Sequence, residues 1–184
     1  MKHRVITAPT TLPVTLDEAK AHLRVLHSDE DADITIKLKA AIEKAEQRTS
    51  RQLGTATVEA YLDALQTAVK LPKTPLQSLT KVEYIDVNGA TKTWDDWYVD
   101  DKAEPAVIYF DTFPTDINID GVNNVTITYQ CGHSETPDAI KSWVLLYTAS
   151  LYEHREGIVE GTVVSDKKAQ YFDHLLDSYR IIPL

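Results

Sequence analysis

Oxygen-bearing side chains at Asp116, Asn118 and Asp120, followed by Gly121, form the most suggestive chemical motif of the sequence. The pattern Asp-x-Asn-x-Asp-Gly is the first half of a calcium-binding loop, in which alternate oxygens converge on the ion and the glycine permits a sharp turn. Its second half is missing, because Ile127 stands where the loop needs a bidentate glutamate. We therefore keep these three residues as a weak candidate cation site, with an acidic β-turn as the competing interpretation.

More acidic residues precede this motif: Asp95, Asp96, Asp100, Asp101 and Glu104. Paired carboxylates can perform acid–base hydrolysis, so the acids of residues 95–120 leave open a metal-dependent enzyme. Adjacent acids in turn regions are also typical of a solvated surface. The aromatic residues Trp94, Trp97 and Tyr98 could form a ligand platform or simply pack the sheet.

Other catalytic patterns are weaker still. His154 lies one helical turn from Ser150 and beside Glu153, but a histidine interacting with the helix dipole explains that spacing as well. There is no G-x-S-x-G sequence, and the six glycines form no phosphate-binding loop. We predict no catalytic residue and no cofactor, and hence a protein that is not an enzyme.

Composition narrows the possible partners. The 184 residues carry 19 basic and 28 acidic side chains, a net charge of −9, which disfavours tight binding to nucleic acid or to an anionic membrane. Cys131 is the sole cysteine, so no intrachain disulfide and no Cys-based zinc site can form. No apolar run reaches the ~20 residues of a membrane span. The start lacks the apolar segment of a signal peptide, so we expect a soluble protein.

Helical signals dominate the first part of the chain. Thr15 and Glu18 form a capping box before a short amphipathic helix. A second helix follows from about Asp33, and Gly54 is its predicted stop. Its apolar residues fall on one face: Ile34, Leu38, Ala41, Ile42 and Ala45.

Strand signals then take over, with about six β-branched or aromatic runs separated by turns. Asn88-Gly89 is a strong hairpin signal. After these runs, Thr136-Pro137 predicts the start of a helix that extends to about Glu156. Ser165-Asp166 predicts the cap of a last helix, which carries Phe172, Leu175, Leu176 and Tyr179.

These elements predict an α+β protein. We expect an N-terminal helical part (1–54), a β insertion (55–130) and a C-terminal helical part (131–184), with the two helical parts packing as one domain. The insertion is an antiparallel sheet or a barrel-like subdomain. Its charge is −7, against +1 for residues 1–54.

The order of the motifs resembles the bacteriophage head–tail connector (adaptor, head-completion) family over nearly the whole chain. The branch it resembles is often described as a conserved phage protein with a possible DNA-packaging role. The segments that carry the resemblance are Pro13 to Arg24, Asp33 to Leu53, Leu71 to Leu79 with Val82 to Asp86 and Gly89, Val125 to Tyr129 with Gly132, Pro137 and Ile140, Leu151 to Glu156, and Leu175 to Arg180.

This resemblance implies a structural virion protein at the head–tail junction, assembled in the host cytoplasm. Family members form a ring of about a dozen subunits below the portal and join it to a tail-side completion or stopper protein. DNA passes through the ring without specific binding. The family's C-terminal segment docks on the portal, which points here to Tyr179, Arg180, Ile181, Ile182 and Leu184. The alternative is a tail that folds back on its own core.

Two alternatives remain beside the connector hypothesis. One is a DNA-packaging accessory factor that does not enter the virion, and the other is the metal-dependent enzyme using the acids of residues 95–120. Basic side chains make the second helix locally basic, among them Lys37, Lys39 and Lys44. We interpret them as a solvated face of the helix and not as a DNA-binding surface.

Overall fold

A computed structural model describes residues 1–154 and 166–181, with side chains from Phe172 onward in the second segment. In chain order its elements are β1 (Lys2–Thr7), α1 (Leu16–Leu23), α2 (Asp31–Thr49), β2 (Ala56–Leu62), β3 (Ala68–Lys70), β4 (Leu76–Ile85), β5 (Thr91–Thr93), β6 (Tyr98–Asp100), β7 (Val107–Tyr109), β8 (Val125–Cys131), α3 (Asp138–Glu153) and α4 (Asp166–Asp177). The predicted mixture of helices and antiparallel sheets is confirmed. The chain divides into a sheet unit (Met1–Thr10 with Gly54–Ser134) and a helical unit (Thr11–Leu53 with Glu135–Leu184).

Apolar stripes at helical spacing build the helical unit. The stripe predicted on α2 is buried: Ile34, Leu38, Ala41, Ile42 and Ala45. It packs with Ile140, Trp143 and Val144 of α3 and with Leu176 of α4. Because burial of one large apolar side chain is worth about 1.5–3 kcal/mol, this shared face holds the three helices together.

The capping box at the start of α1 is confirmed. The Thr15 hydroxyl accepts the N–H of Glu18 at 3.2 Å, and the Thr15 N–H donates to the Glu18 carboxylate at 2.7 Å. These two bonds satisfy backbone groups that a helix start leaves without intrahelical partners.

The predicted stop of α2 at Gly54 is wrong. The helix ends at Thr49, because Ser50 adopts a left-handed conformation with φ 57°. The carboxylate of Glu46 then accepts the N–H of Leu53 at 2.9 Å and a side-chain N–H of Gln52 at 2.6 Å. The segment after α2 is thus held against the helix it follows.

The bounds of α3 also differ slightly from the prediction. Its N-cap is Pro137 rather than Thr136, whose buried hydroxyl donates instead to the carbonyl oxygen of Leu53 at 3.4 Å. The helix ends at Glu153, and residues 155 and 156 of the predicted extension lie outside the described residues. The predicted cap residue Ser165 lies outside them as well.

Two antiparallel sheets make up the sheet unit. The larger has the strand order β1-β2-β8-β4-β5 and the smaller β3-β7-β6. In the larger sheet, Val58 pairs with Tyr129 and Val82 with Ile127, so the buried residues of neighbouring strands share one face. Residues of the smaller sheet, such as Ile108, join the same hydrophobic core.

The barrel-like alternative is wrong for the described residues, because neither of their sheets closes. The larger sheet ends at β1 on one side and at the three-residue β5 on the other, and all side chains of these two strands are exposed. The hairpin at Asn88-Gly89 is confirmed, with Gly89 at φ 82° between the paired strands β4 and β5.

Strand β1 was not predicted, because residues 1–54 were interpreted as helical. It pairs antiparallel with β2, for example His3 with Ala60. Exposure on both faces explains why its sequence lacks the alternation of apolar and polar residues that marks a half-buried strand.

Among the described residues, none of the helices has both the length and the apolar character required to cross a membrane.

Candidate functional site

The C-terminal segment is held at the end of α2. The Nε–H of Arg51 donates to the carbonyl oxygen of Tyr179 at 2.6 Å, and the N–H of Ile181 donates to the carbonyl oxygen of Thr49 at 3.0 Å. Tyr179 is half-buried against the helical core. Residues 179–181 therefore follow the surface of their own helical unit.

The five residues of the portal-docking prediction differ in their exposure, and two of them are not described by the structure. Tyr179 and Ile181 are half-buried, whereas the side chain of Arg180 is exposed. Ile182 and Leu184 lie outside the described residues. Among the described members, Arg180 is thus the one whose side chain extends into solvent.

A polar junction beside this segment connects three helices. Asp173 of α4 accepts the indole N–H of Trp143 at 3.1 Å and pairs through its other oxygen with Arg48. Trp143 is fully buried, and its ring stacks on Tyr147 with the centroids 4.8 Å apart. The junction satisfies the buried indole N–H and fixes α4 against α2 and α3.

Asp116, from the predicted cation motif, belongs to a charged cluster beside the β4–β5 hairpin. The ammonium group of Lys92 donates to Asp86 at 2.9 Å and also to Asp116, while the Tyr84 hydroxyl donates to Asp116 at 2.9 Å. The buried carboxylate of Asp86 further accepts the N–H groups of Asn88 and Ala90 at 2.8 and 2.9 Å. The positive charge of Lys92 therefore lies beside the carboxylates that a bound metal cation would need.

The electrostatics of this cluster follow from its contacts. The hydrogen bond from Lys92, then that from the Ala90 N–H, lower the pKa of Asp86 from 3.8 to about 2. Lys92 likewise lowers the pKa of Asp116, and the two carboxylates raise the pKa of Lys92. Burial, followed by the bond to Asp116, raises the pKa of Tyr84. At neutral pH the cluster is two carboxylates around one ammonium group.

Asn118 and Asp120, the other two residues of the predicted cation motif, have different surroundings from Asp116. The side-chain oxygen of Asn118 accepts the N–H of Asp120 at 3.1 Å, which is the bond of an Asx-turn. Asp120 itself is exposed. No group of three or more His, Cys, Asp or Glu side chains suited to a metal ion occurs in the part of the chain that the structure describes. The cation site at Asp116, Asn118 and Asp120 stays a prediction.

The paired acids of residues 95–104 are exposed and lie between strands or, in the case of Asp100, at the end of β6. Asp100 accepts the N–H groups of Lys102 and Ala103 at 3.1 and 3.2 Å, and Asp96 accepts the hydroxyl of Thr112. The neighbouring Trp94 and Trp97 pack against the sheet core, with the Trp94 ring edge-on to Tyr84 at 6.3 Å. The packing interpretation of the tryptophans is confirmed.

The surroundings of His154 and Cys131 favour structural roles for both residues. A ring nitrogen of His154 lies 3.0 Å from the carbonyl oxygen of Ser150, so this contact involves the backbone and not the serine hydroxyl. Cys131 lies buried at the end of β8.

Gly132 and Gly54 meet at a contact that the sequence did not reveal. Gly132 has φ 117°, and a Cβ placed on it would lie 2.2 Å from the carbonyl oxygen of Gly54. Its own N–H donates to the carbonyl oxygen of Pro75 at 2.8 Å, and its carbonyl accepts the side chain of Gln77 at 2.9 Å. The sequence signal that could have indicated this contact was the position of Gly132, shortly after the strand segment Val125 to Tyr129.

Residues 13–89 match the model of a protein family described as "Phage gp6-like head-tail connector protein". The match spans α1, α2 and strands β2 to β4, and it confirms the resemblance to head–tail connectors that the sequence predicted. No curated protein matches the chain.

Solved structures with the same fold come from gene transfer agent (GTA) particles. A chain of the neck of an empty GTA particle, computed with sixfold symmetry, is 22% identical with a TM-score of 0.81. A chain of the virion of a native GTA particle gives 23% and 0.80. A chain of the native neck, computed with twelvefold symmetry, gives 21% and 0.77. Each likeness covers 100% of this chain and 97% of the other, so the fold is shared over the full length.

Proposed function

We propose that this chain is a structural head–tail connector, one subunit of a ring at the head–tail junction of a phage or phage-like particle. The observation that carries the proposal is the fold shared over 100% of the chain with a protein of a GTA neck, at a TM-score of 0.81. The connector family match over residues 13–89 supports it independently. This role is structural and requires no catalytic residue.

A closed ring of about a dozen copies agrees with the sixfold and twelvefold symmetries of the neck structures. Such a ring is built from one repeated contact between two different surfaces of the subunit. Apolar side chains that a monomer leaves in water can be covered in this way. Near the β4–β5 hairpin, Val87, Ile119 and Val122 are 65%, 77% and 68% exposed.

Docking to the portal remains part of the proposal, and the geometry narrows it. The backbone of Tyr179 and of Ile181 is already bonded to the end of α2. We therefore propose that the exposed side chain of Arg180 and residues 182–184 make the portal contact. The opposite face of the ring meets a tail-side completion or stopper protein.

DNA passes through the proposed ring without being held. The net charge of −9, concentrated as −7 in residues 55–130, repels phosphate groups at close range. A channel with acidic walls therefore keeps translocating DNA from sticking.

Mass spectrometry of purified particles tests this function. A connector is found in every particle in about a dozen copies, and its deletion leaves DNA-filled heads without tails. A packaging accessory factor is absent from mature particles, and its deletion leaves heads empty of DNA. The second pair of results would overturn the proposal in favour of that alternative.

A further inference from the structure

One side of the sheet unit carries a basic surface, which we call the basic edge and define by Lys2, Arg4, Lys70 and Lys73. Strands β1 and β3 are the outermost strands of the two sheets on this side. Lys2 and Lys70 line the same cavity of about 440 Å³, which places the two strand edges next to each other. Asp63 lines this cavity too, and its carboxylate accepts the N–H of Asn123 at 2.8 Å.

The charges of the basic edge are available for a partner. Among the described residues, neither Lys2 nor Arg4 forms an ion pair, and both are exposed. Burial, followed by the nearby charge of Lys73, lowers the pKa of His3 on β1. Glu59 lies opposite Arg4 on β2, and its carboxylate accepts the hydroxyl of Tyr61.

Strands β5 and β6 end the two sheets on the other side. Only residues 94–97 connect them, so their joined ends lie within ~18 Å of each other. Exposed carboxylates lie at or just after the end of each strand, and we call this surface the acidic edge, defined by Asp95, Asp96, Asp100 and Asp101. The one basic residue on β5, Lys92, is already bound to Asp86 and Asp116.

Aromatic surface adds to the acidic edge. Tyr98 of β6 is 52% exposed, and its ring stacks on Tyr109 with the centroids 5.1 Å apart. A stacked and partly exposed tyrosine presents a face that attracts a lysine or arginine side chain.

We propose that neighbouring subunits of the ring meet head to tail through these surfaces, the basic edge of one copy docking on the acidic edge of the next. The inference rests on the proposed ring and identifies its repeated contact within the sheet unit. A ring of identical subunits needs two unlike surfaces that complement each other, and opposite charge on the two edges meets that need.

The outermost strands of each sheet do not pair with each other within one copy. From β1 to β5 the larger sheet spans four strand spacings, which is about 19 Å, and from β3 to β6 the smaller sheet spans two, about 10 Å, with Lys70 and Asp100 on either side of Val107. Backbone contact between the two edges therefore requires a second copy. Docking also covers the exposed β1 backbone and the apolar side chains of Val5 and Ile6, each 40% exposed. Covering such an edge also protects it from unspecific strand pairing.

Two charge-reversed proteins test the proposal. The first carries Lys2→Glu and Arg4→Glu, so its basic edge loses its net positive charge and has two carboxylates beside Lys70 and Lys73. The second carries Asp95→Lys and Asp101→Lys, so its acidic edge loses its net negative charge and has two ammonium groups beside Asp96 and Asp100. These four side chains are exposed and are absent from the hydrogen bonds and ion pairs described, so we expect both proteins to fold, which circular dichroism checks.

We expect each reversed protein alone to assemble at least ~10-fold more weakly than the unaltered chain in sedimentation and electron microscopy. An equimolar mixture of the two restores rings, because the unaltered acidic edge of the first then meets the unaltered basic edge of the second, and the introduced carboxylates meet the introduced ammonium groups. The control Arg24→Glu with Lys39→Glu makes the same charge change as the first reversed protein, on exposed positions of the helical unit, and leaves assembly unchanged.

The outcomes separate this inference from the proposed function. If the unaltered chain forms no ring, alone or with its portal, the connector proposal and this contact fail together. If the unaltered chain forms rings and both reversed proteins do as well, only this contact is overturned. A mixture that fails to restore rings, or a control that weakens assembly equally, overturns the contact too.

Discussion

Arg51 donates a hydrogen bond of 2.6 Å from its Nε–H to the carbonyl oxygen of Tyr179, 128 residues later in the chain. A second hydrogen bond holds the C-terminal segment two residues later, where the N–H of Ile181 donates to the carbonyl oxygen of Thr49. The last carbonyl groups of a helix lack intrahelical partners, so the end of α2 can accept such a bond. The end of α2 thus determines where the C-terminal segment begins.

Replacement of Arg51 with alanine should loosen this anchor. Arg51 is buried, and a hydrogen bond from a charged donor contributes about 1.5–3 kcal/mol, so we expect a loss of that order in the free energy of unfolding. Urea denaturation measures it. Lys39→Ala, at an exposed position of α2, should stay within about 0.5 kcal/mol of the unaltered chain. Equal effects of the two changes would contradict the anchoring role.

Replacement of Gly132 with alanine should be far more damaging. The added Cβ would lie 2.2 Å from the Gly54 carbonyl oxygen, and the φ of 117° is unfavourable for any residue with a side chain. Overpacking and backbone strain together cost about 3 kcal/mol or more.

Gly89→Ala is the matched control for this change. Gly89 also has positive φ, but a Cβ there meets nothing within 4 Å. The expected cost is about 1 kcal/mol, from backbone strain alone. Thermal unfolding of the two variants compares them, and similar melting temperatures would show that the approach of Gly54 is unimportant.

Lowering the pH should destabilise the β4–β5 hairpin, because the carboxylate of Asp86 becomes protonated. Its pKa is about 2 in the folded chain, against 3.8 ordinarily, so the ionised carboxylate stabilises the fold. That contribution is complete above about pH 4 and is lost as the pH falls towards 2. Asp86→Asn should therefore be less stable at pH 7, with a smaller decline between pH 5 and 2.

Melting temperatures measured across this pH range test the Asp86 prediction. Asp95→Asn, at an exposed position, serves as the control and should follow the unaltered chain. Some acid dependence persists in Asp86→Asn because Lys92 also lowers the pKa of Asp116. An unchanged profile in Asp86→Asn would show that the carboxylate contributes nothing.

Calcium titration tests the cation motif. Lys92 and Tyr84 already bond the carboxylate of Asp116, so we expect calorimetry to show no saturable heat with calcium. Asp116→Ala is the comparison. A saturable heat in the unaltered chain that Asp116→Ala abolishes would restore the metal-dependent alternative.

Local sequence signals predicted those elements whose geometry depends on neighbouring residues. The capping box of Thr15 and Glu18 needs only one helical turn, and the hairpin at Asn88-Gly89 needs only two paired strands. The buried stripe of α2 is likewise visible as helical spacing. Such features are encoded within a few positions of each other.

Features that depend on distant residues were missed. Strand β1 exists because β2 offers a partner more than fifty positions away, and its own sequence lacks alternation. The contact of Gly132 with Gly54 and the bond of Arg51 to Tyr179 join segments far apart in the chain. The cation motif shows the same limit, since its local pattern did not reveal Lys92 beside Asp116.

Electron microscopy of the purified chain, alone and mixed with its portal, tests the central claim most directly. The connector account predicts closed rings of about a dozen copies with countable rotational symmetry, seated on the portal where the portal is present. Particles that remain monomeric under both conditions would contradict it.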